Sequence, residues 1–156
     1  MAKEHRYKTN IEWTGNRGEG TNHYRGYDRS HRISIANKMT IDASSDPAFQ
    51  GDATKYNPEE FLVASLSSCH MLWFLHLCSD NGIVVVDYKD EAIGLMEESV
   101  NGGGHFKEVV LHPSVTITDA AKIDKANSLH HEANKKCFIA NSCNFPVKHE
   151  PVCRAI

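Results

Sequence analysis

No Cys-x-x-Cys pair occurs in the 156 residues. That argues against the zinc-ribbon and thioredoxin-type readings. A strong charge of one sign is also missing: 17 Lys and Arg stand against 20 Asp and Glu, a net charge of −3. Electrostatics therefore gives no case for nucleic acid as a partner. The opening residues, Met1-Ala2-Lys3-Glu4-His5-Arg6, are polar and hold no apolar signal core. The apolar stretches are interrupted well before the length of a membrane span, so no membrane partner is expected. No internal repeat is visible. These exclusions lead to the expectation of one cytoplasmic domain over residues 1–156, with its thiols reduced at rest.

Five cysteines are present, an odd number that argues against a fully paired disulfide framework. Two of them fall on helical patterns. Cys69 lies inside Phe61-Leu62-Val63-Ala64-Ser65-Leu66-Ser67-Ser68-Cys69-His70-Met71, and Cys137 ends Leu129-His130-His131-Glu132-Ala133-Asn134-Lys135-Lys136-Cys137. Helix-borne cysteines in a chain of this kind suggest thiol chemistry over a structural cross-link.

Residues 5–13 and 31–36 alternate in polarity and read as strands. Between them lies Thr14-Gly15-Asn16-Arg17-Gly18-Glu19-Gly20, a Gly-rich turn with one Arg. Residues 42–57, rich in Ser, Asp, Gly and Pro, read as an irregular connection. Asn57 is a good helix N-cap, Pro58 suits the first helical position, and Glu60 completes a capping box. The helix from there to Asn81-Gly82 is nearly apolar all round, which predicts central burial. A strand from Ile83, continuing through Glu97, and another over Phe106–Thr118 read as a hairpin around Asn101-Gly102-Gly103-Gly104. A second helix begins at Asp119 or Asp124 and reaches Lys136, and a tail strand lies near Val147. The order ββ-α-ββ-α-β is α+β.

A peroxide-reducing cysteine needs a thiolate, hence nearby positive charge. It needs a donor for the peroxide oxygens and a second thiol to capture the sulfenic acid. Cys69 sits mid-helix, where the helix dipole has faded, so an Arg must supply the charge. Arg17 is the best-placed candidate, and Glu59 is the carboxylate suited to hold its fork. The plainer reading stands beside this one: a buried free cysteine is commonly an inert small hydrophobe, and a turn Arg is commonly solvated.

Trp13-Thr14-Gly15-Asn16-Arg17, the block Asn57-Pro58-Glu59-Glu60 with Cys69, and Cys137 followed by Asn141 together resemble the OsmC/Ohr family of thiol-dependent hydroperoxide reductases. The segment Cys69-His70-Met71-Leu72-Trp73-Phe74-Leu75 is more similar to the general OsmC-like branch than to the Ohr branch. The resemblance implies an antiparallel sheet with two central helices in an intertwined homodimer, with active sites at the subunit interface. It implies Cys69 as the peroxidatic thiol and Cys137 as the resolving thiol. Arg17 would be the thiolate and peroxide partner, and Glu59 the residue that orients Arg17. The substrate implied is an organic hydroperoxide and the reductant an external dithiol, with no cofactor. Two features depart from the pattern. Phe138 follows Cys137 where Pro is common in the family, and Cys143 competes for the resolving role. The stretch Asn22–Asp52 leaves the substrate pocket open to reshaping.

The other thiols read as bland, with Cys78 on the opposite side of the helix from Cys69 and Cys153 exposed. Ten histidines invite a metal reading, but His70 and His76 with Cys69 have poor ligand spacing, so no metal is expected. His70 is left to tune the Cys69 pocket or to be hydrogen-bonded in an interface. Met71, Trp73, Phe74, Leu75 and Met96 are expected to line a core or pocket wall that suits alkyl hydroperoxides. An apolar-ligand binder and a redox sensor on the same fold remain as alternative functions.

Overall fold

The computed structural model describes residues 3–156; Met1 and Ala2, which open the polar N-terminal stretch, lie outside them. The chain divides into two compact units, Met1–Phe61 and Leu62–Ile156. The first holds a three-stranded antiparallel sheet of β1 (Asn10–Trp13), β2 (His31–Ser34) and β3 (Ile41–Ala43), in that order. β3 has no signal of its own in the sequence, being only three residues long and running into the stretch 42–57 that reads as a connection. After it, Asp46 caps a 3-10 turn at Pro47–Phe49 by accepting the Ala48 amide. The chain then returns to the sheet: the Ser44 amide donates to the Tyr56 carbonyl at 3.0 Å.

Helix α1 (Pro58–Asp80) starts where its residues predict. Asn57 Oδ1 accepts the Glu60 amide at 2.9 Å and Glu60 Oε2 accepts the Asn57 amide at 3.1 Å, a reciprocal capping box with Pro at the first helical position. It stops at Gly82, whose φ of +64° suits a residue without Cβ. There the Gly82 amide donates to Ser79 and the Ile83 amide to Cys78, which satisfies the last carbonyls. Mean hydropathy reaches 1.5 over an 18-residue window of α1, long and apolar enough by composition to cross a membrane. This corrects the expectation that no stretch meets that test, since scattered Ser and His hide a high average. Its buried residues Leu66, His70, Phe74 and Cys78 form one row at i, i+4 spacing and pack into the core of the second unit, as those of a core helix do. The predicted all-round burial is not found: Leu72, off this row, is 63% exposed.

Leu62–Ile156 continues with β4 (Val85–Asp90), β5 (Ile93–Glu98), β6 (Gly104–Leu111) and β7 (Pro113–Ile117). They are the expected long hairpin, broken on both arms at one level. β5 pairs with β6 and β4 with β7, both antiparallel. Asp90 holds the break, its carboxylate accepting the His112 amide at 2.7 Å and the Ser67 hydroxyl of α1. Helix α2 (Ile123–Lys136) follows a 3-10 turn at Ala120–Lys122, which Asp119 caps. The tail forms two strands where one was expected. β8 (Val147–His149) joins β6 and β9 (Val152–Ala155) joins β7, both in parallel, so these sheets are mixed. Two apolar clusters result. Phe74, Cys78, Ile83, Val115, Ile117 and Leu129 anchor one, and Leu66, Val109 and Leu111 the other.

Candidate functional site

Cys69 stands one residue before the buried His70 on α1 and is itself half-buried. Cys137 is the C-cap of α2, and its amide donates to the Asn134 carbonyl. The two thiols, far apart in sequence, are neighbours in space. Burial pushes the Cys137 thiol up to about 11, and the neighbouring Cys69 sulfur raises it further, while the Ala140 N–H, donating to Cys137 Sγ at 3.4 Å, opposes the rise. Cys137 therefore keeps its proton at neutral pH and can donate it to a neighbouring acceptor.

Cys143 lies elsewhere. Its thiol donates to the Ile139 carbonyl at 3.3 Å and packs against the Leu66–Val109–Leu111 cluster, where burial raises it. Asn141 is structural in this arrangement: its side-chain amide donates to the Lys135 carbonyl at 2.9 Å, closing the end of α2. Phe138, which follows Cys137, packs edge-on against Trp73 with ring centroids 5.6 Å apart. Trp73 is four residues after Cys69 on the same helix face, so the thiol pair is flanked by this aromatic contact. The Lys136 ammonium lies 5.6 Å from the Trp73 ring centroid. Neither Phe138 nor Lys136 was singled out as a site residue from sequence; their adjacency to Cys137 was the available signal.

Cys78 is buried in the main apolar cluster, where burial first and then the nearby Cys153 push its thiol up to about 12. Cys153 is half-buried against the same cluster rather than exposed, because β9 inserts beside β7. Both are packing residues in this chain.

In the first unit, Arg17 projects from the turn after β1 and pairs with Asp28, donating from its guanidinium to the carboxylate. Each raises or lowers the other in the direction an ion pair demands: Arg17 up, Asp28 down. Asp28 is fixed by its backbone as well. Its amide donates to the Gly15 carbonyl at 2.9 Å, and its carbonyl accepts Trp13 Nε1 at 2.8 Å. Gly15 is required here, because a Cβ would lie 1.8 Å from the Asp28 oxygen. The expected Glu59–Arg17 pair is not formed within the chain. Glu59 lies half-buried in the first turn of α1 with no hydrogen bond or ion pair among the described residues. Asp28 takes the fork because the Trp13–Gly15 turn is bound to its backbone, which sequence separation concealed.

The segment after Arg17 is closed on itself. The Arg29 guanidinium lies 4.4 Å from the Tyr24 ring centroid and 4.0 Å from that of Tyr27, and it donates to both of their carbonyls. Among the described residues no group of three or more His, Cys, Asp or Glu side chains is arranged to hold a metal ion.

Residues 51–151 match the family model of OsmC-like proteins. No curated protein matches the chain. Among solved structures, an OsmC-like protein of unknown function from Vibrio cholerae is 30% identical over 96% of this chain and all of its own, with a TM-score of 0.85. An organic hydroperoxide resistance protein OsmC from Legionella pneumophila shares the fold at 16% identity, TM-score 0.68, covering 96% of this chain and 98% of its own. The organic hydroperoxide resistance protein OhrB of Bacillus subtilis does so at 19% identity, TM-score 0.60, covering 94% and 98%. The match of the family model to residues 51–151, with a 30% identical relative aligned over nearly the whole chain, shows that this chain belongs to the OsmC-like family.

Proposed function

We propose that the protein is a cysteine peroxidase that reduces organic hydroperoxides in the reducing cytoplasm. The observation that carries this reading is the juxtaposition of the half-buried Cys69 with Cys137 at the C-cap of α2. The Cys69 thiolate attacks the distal peroxide oxygen and the O–O bond breaks. Cys69 becomes a sulfenic acid, and the alkoxide takes a proton and leaves as alcohol. The Cys137 sulfur then displaces the hydroxyl, which departs as water with the Cys137 proton, and the Cys69–Cys137 disulfide forms. An external dithiol returns both thiols by exchange.

Arg17 supplies the positive charge that steadies the leaving oxygen. Asp28 holds its fork. A homodimer is part of the proposal: Leu72 in the middle of α1 is 63% exposed, and Ile93 and Leu95 on β5 are 62% and 51% exposed, more apolar surface than a lone helix and strand need leave in water. The Trp73–Phe138 contact beside the thiols favours an alkyl or aryl substituent on the peroxide over hydrogen peroxide. Steady-state peroxide consumption with a dithiol reductant tests the reading. Wild type should turn over cumene hydroperoxide and Cys69→Ser should not; full turnover by Cys69→Ser would overturn it.

A further inference from the structure

A pair of histidines is buried between the two helices that carry the thiols. His70 Nε2 of α1 and His130 Nδ1 of α2 are 3.0 Å apart, and the side chains are 1% and 0% exposed. From sequence, His70 either tunes the Cys69 pocket or is hydrogen-bonded in an interface; its partner His130 carries no signal, since 60 residues separate them. One ring N–H donates to the other ring's lone pair. Phe74 stacks on His130 with centroids 3.8 Å apart, and His149 of β8 lies 5.6 Å from His70 between ring centroids. His70 Nδ1, His130 Nε2 and His149 Nδ1 are all buried without a partner.

This is a poor arrangement for stability alone. Each buried polar nitrogen left unpaired costs free energy that an apolar ring of the same shape would not. Burial drives both imidazoles toward the neutral form, His70 down to about 4 and His130 to about 3, so no ion pair compensates. What a buried polar bond offers in exchange is register: two apolar rings slide past each other with little change in energy, whereas a ring–ring hydrogen bond is satisfied in one alignment only. The alignment matters because of where the rings are attached. His70 adjoins Cys69 in sequence, and His130 is two turns before Cys137 on α2.

We propose that the buried His70–His130 hydrogen bond is a positioning device that fixes α1 against α2 in the one register that sets Cys69 beside Cys137. The inference rests on the thiol pair named under the proposed function, but not on the peroxide that oxidises it. His70 and His130 touch no reacting atom; they act through the helices.

The experiment equilibrates the full-length protein in glutathione redox buffers and maps the Cys69–Cys137 disulfide by mass spectrometry. Two protein thiols are oxidised as one glutathione disulfide is reduced to two glutathiones, so the ratio gives the equilibrium constant directly. The His70→Phe/His130→Phe double variant keeps two stacked rings and removes the bond. It is expected to fold, with a Tm at or above wild type, while the disulfide equilibrium constant falls about tenfold or more, about 30 mV per tenfold. The His70→Gln/His130→Asn variant keeps a polar amide at the Nε2 and Nδ1 positions and is expected to stay within about threefold of wild type. An unchanged constant in the folded Phe variant overturns the proposal, as does an equal loss in both variants. Because glutathione disulfide is the oxidant, the constant is measured whether or not the wild type consumes hydroperoxides. Failure of that peroxidase assay sinks the proposed function alone.

Discussion

Cys137 lies 68 residues after Cys69 in the chain, yet its thiol stands beside that of Cys69, while Cys143, six residues further on, is turned into an apolar cluster. The difference comes from the end of α2. The helix stops at Lys136, and Cys137 as its C-cap adopts extended backbone, φ −64° and ψ 112°, before the short turn at Ala140–Ser142 carries Cys143 to the Ile139 carbonyl.

The first prediction separates these two thiols. Cys137→Ser should reduce one equivalent of hydroperoxide per chain and then stop, with the sulfenic acid on Cys69 open to over-oxidation and to trapping by dimedone. Cys143→Ser should retain turnover within about twofold, since the Cys143 thiol donates to the Ile139 carbonyl and packs against the Leu66–Val109–Leu111 cluster. Multiple-turnover peroxide assays on the two variants check this.

A second prediction concerns Asp28. Asp28→Ala removes the observed partner of Arg17 but leaves its backbone bonds to Gly15 and Trp13 in place. Peroxide kcat/KM is expected to fall by about tenfold as the guanidinium loses its orientation, with Asp28→Glu recovering part of the loss. Stability should change little, because both partners are about half exposed and surface pairs contribute little.

Stability should depend on pH through the histidines. Folded-state values of about 4 for His70 and about 3 for His130 lie below the ordinary imidazole value of 6.5. Below pH 6.5 the unfolded chain therefore binds more protons than the native one, and stability falls as pH falls. The loss is about 1.4 kcal/mol per pH unit for each such histidine, until the folded-state values are reached. The groups facing the pair reinforce this direction: His149 of β8 is itself lowered by burial and by His131 of α2. Above pH 6.5 the histidine contribution is flat. Urea denaturation between pH 7.5 and 4.5 measures it, and His70→Phe/His130→Phe should flatten the curve.

The capping box gives a fourth expectation. Asn57→Ala removes the acceptor of the Glu60 amide from a buried position and should cost about 1–2 kcal/mol in thermal or urea unfolding. Glu60→Ala removes only the reciprocal half, from an exposed residue, and should cost less.

Much of this architecture is legible in local chemistry. Asn57-Pro58-x-Glu60 marks the start of α1 and Asn81-Gly82 its end because caps are short-range events. The Gly-rich turn at 101–104 marks the β5–β6 hairpin for the same reason. The strands β3 and β9 are not legible, since β3 runs into the Ser-, Asp-, Gly- and Pro-rich stretch 42–57 and β9 follows β8 directly in one short tail. Neither is the parallel pairing of β8 and β9, which depends on where α2 delivers the chain. At the candidate site, Cys69 and Cys137 stand out as thiols on helices, but their approach, the Arg17–Asp28 pair and the His70–His130 bond are long-range or loop-closing contacts without a sequence period. The Glu59–Arg17 expectation shows the limit, as the nearer carboxylate in space belongs to a loop with no motif of its own.

The most direct test of the central claim is intact-mass analysis of the reduced protein after one equivalent of cumene hydroperoxide, followed by peptide mapping. A prompt loss of two hydrogens, mapped to a Cys69–Cys137 disulfide, is the predicted result. No prompt change, or slow oxidation scattered over all five cysteines, would contradict it.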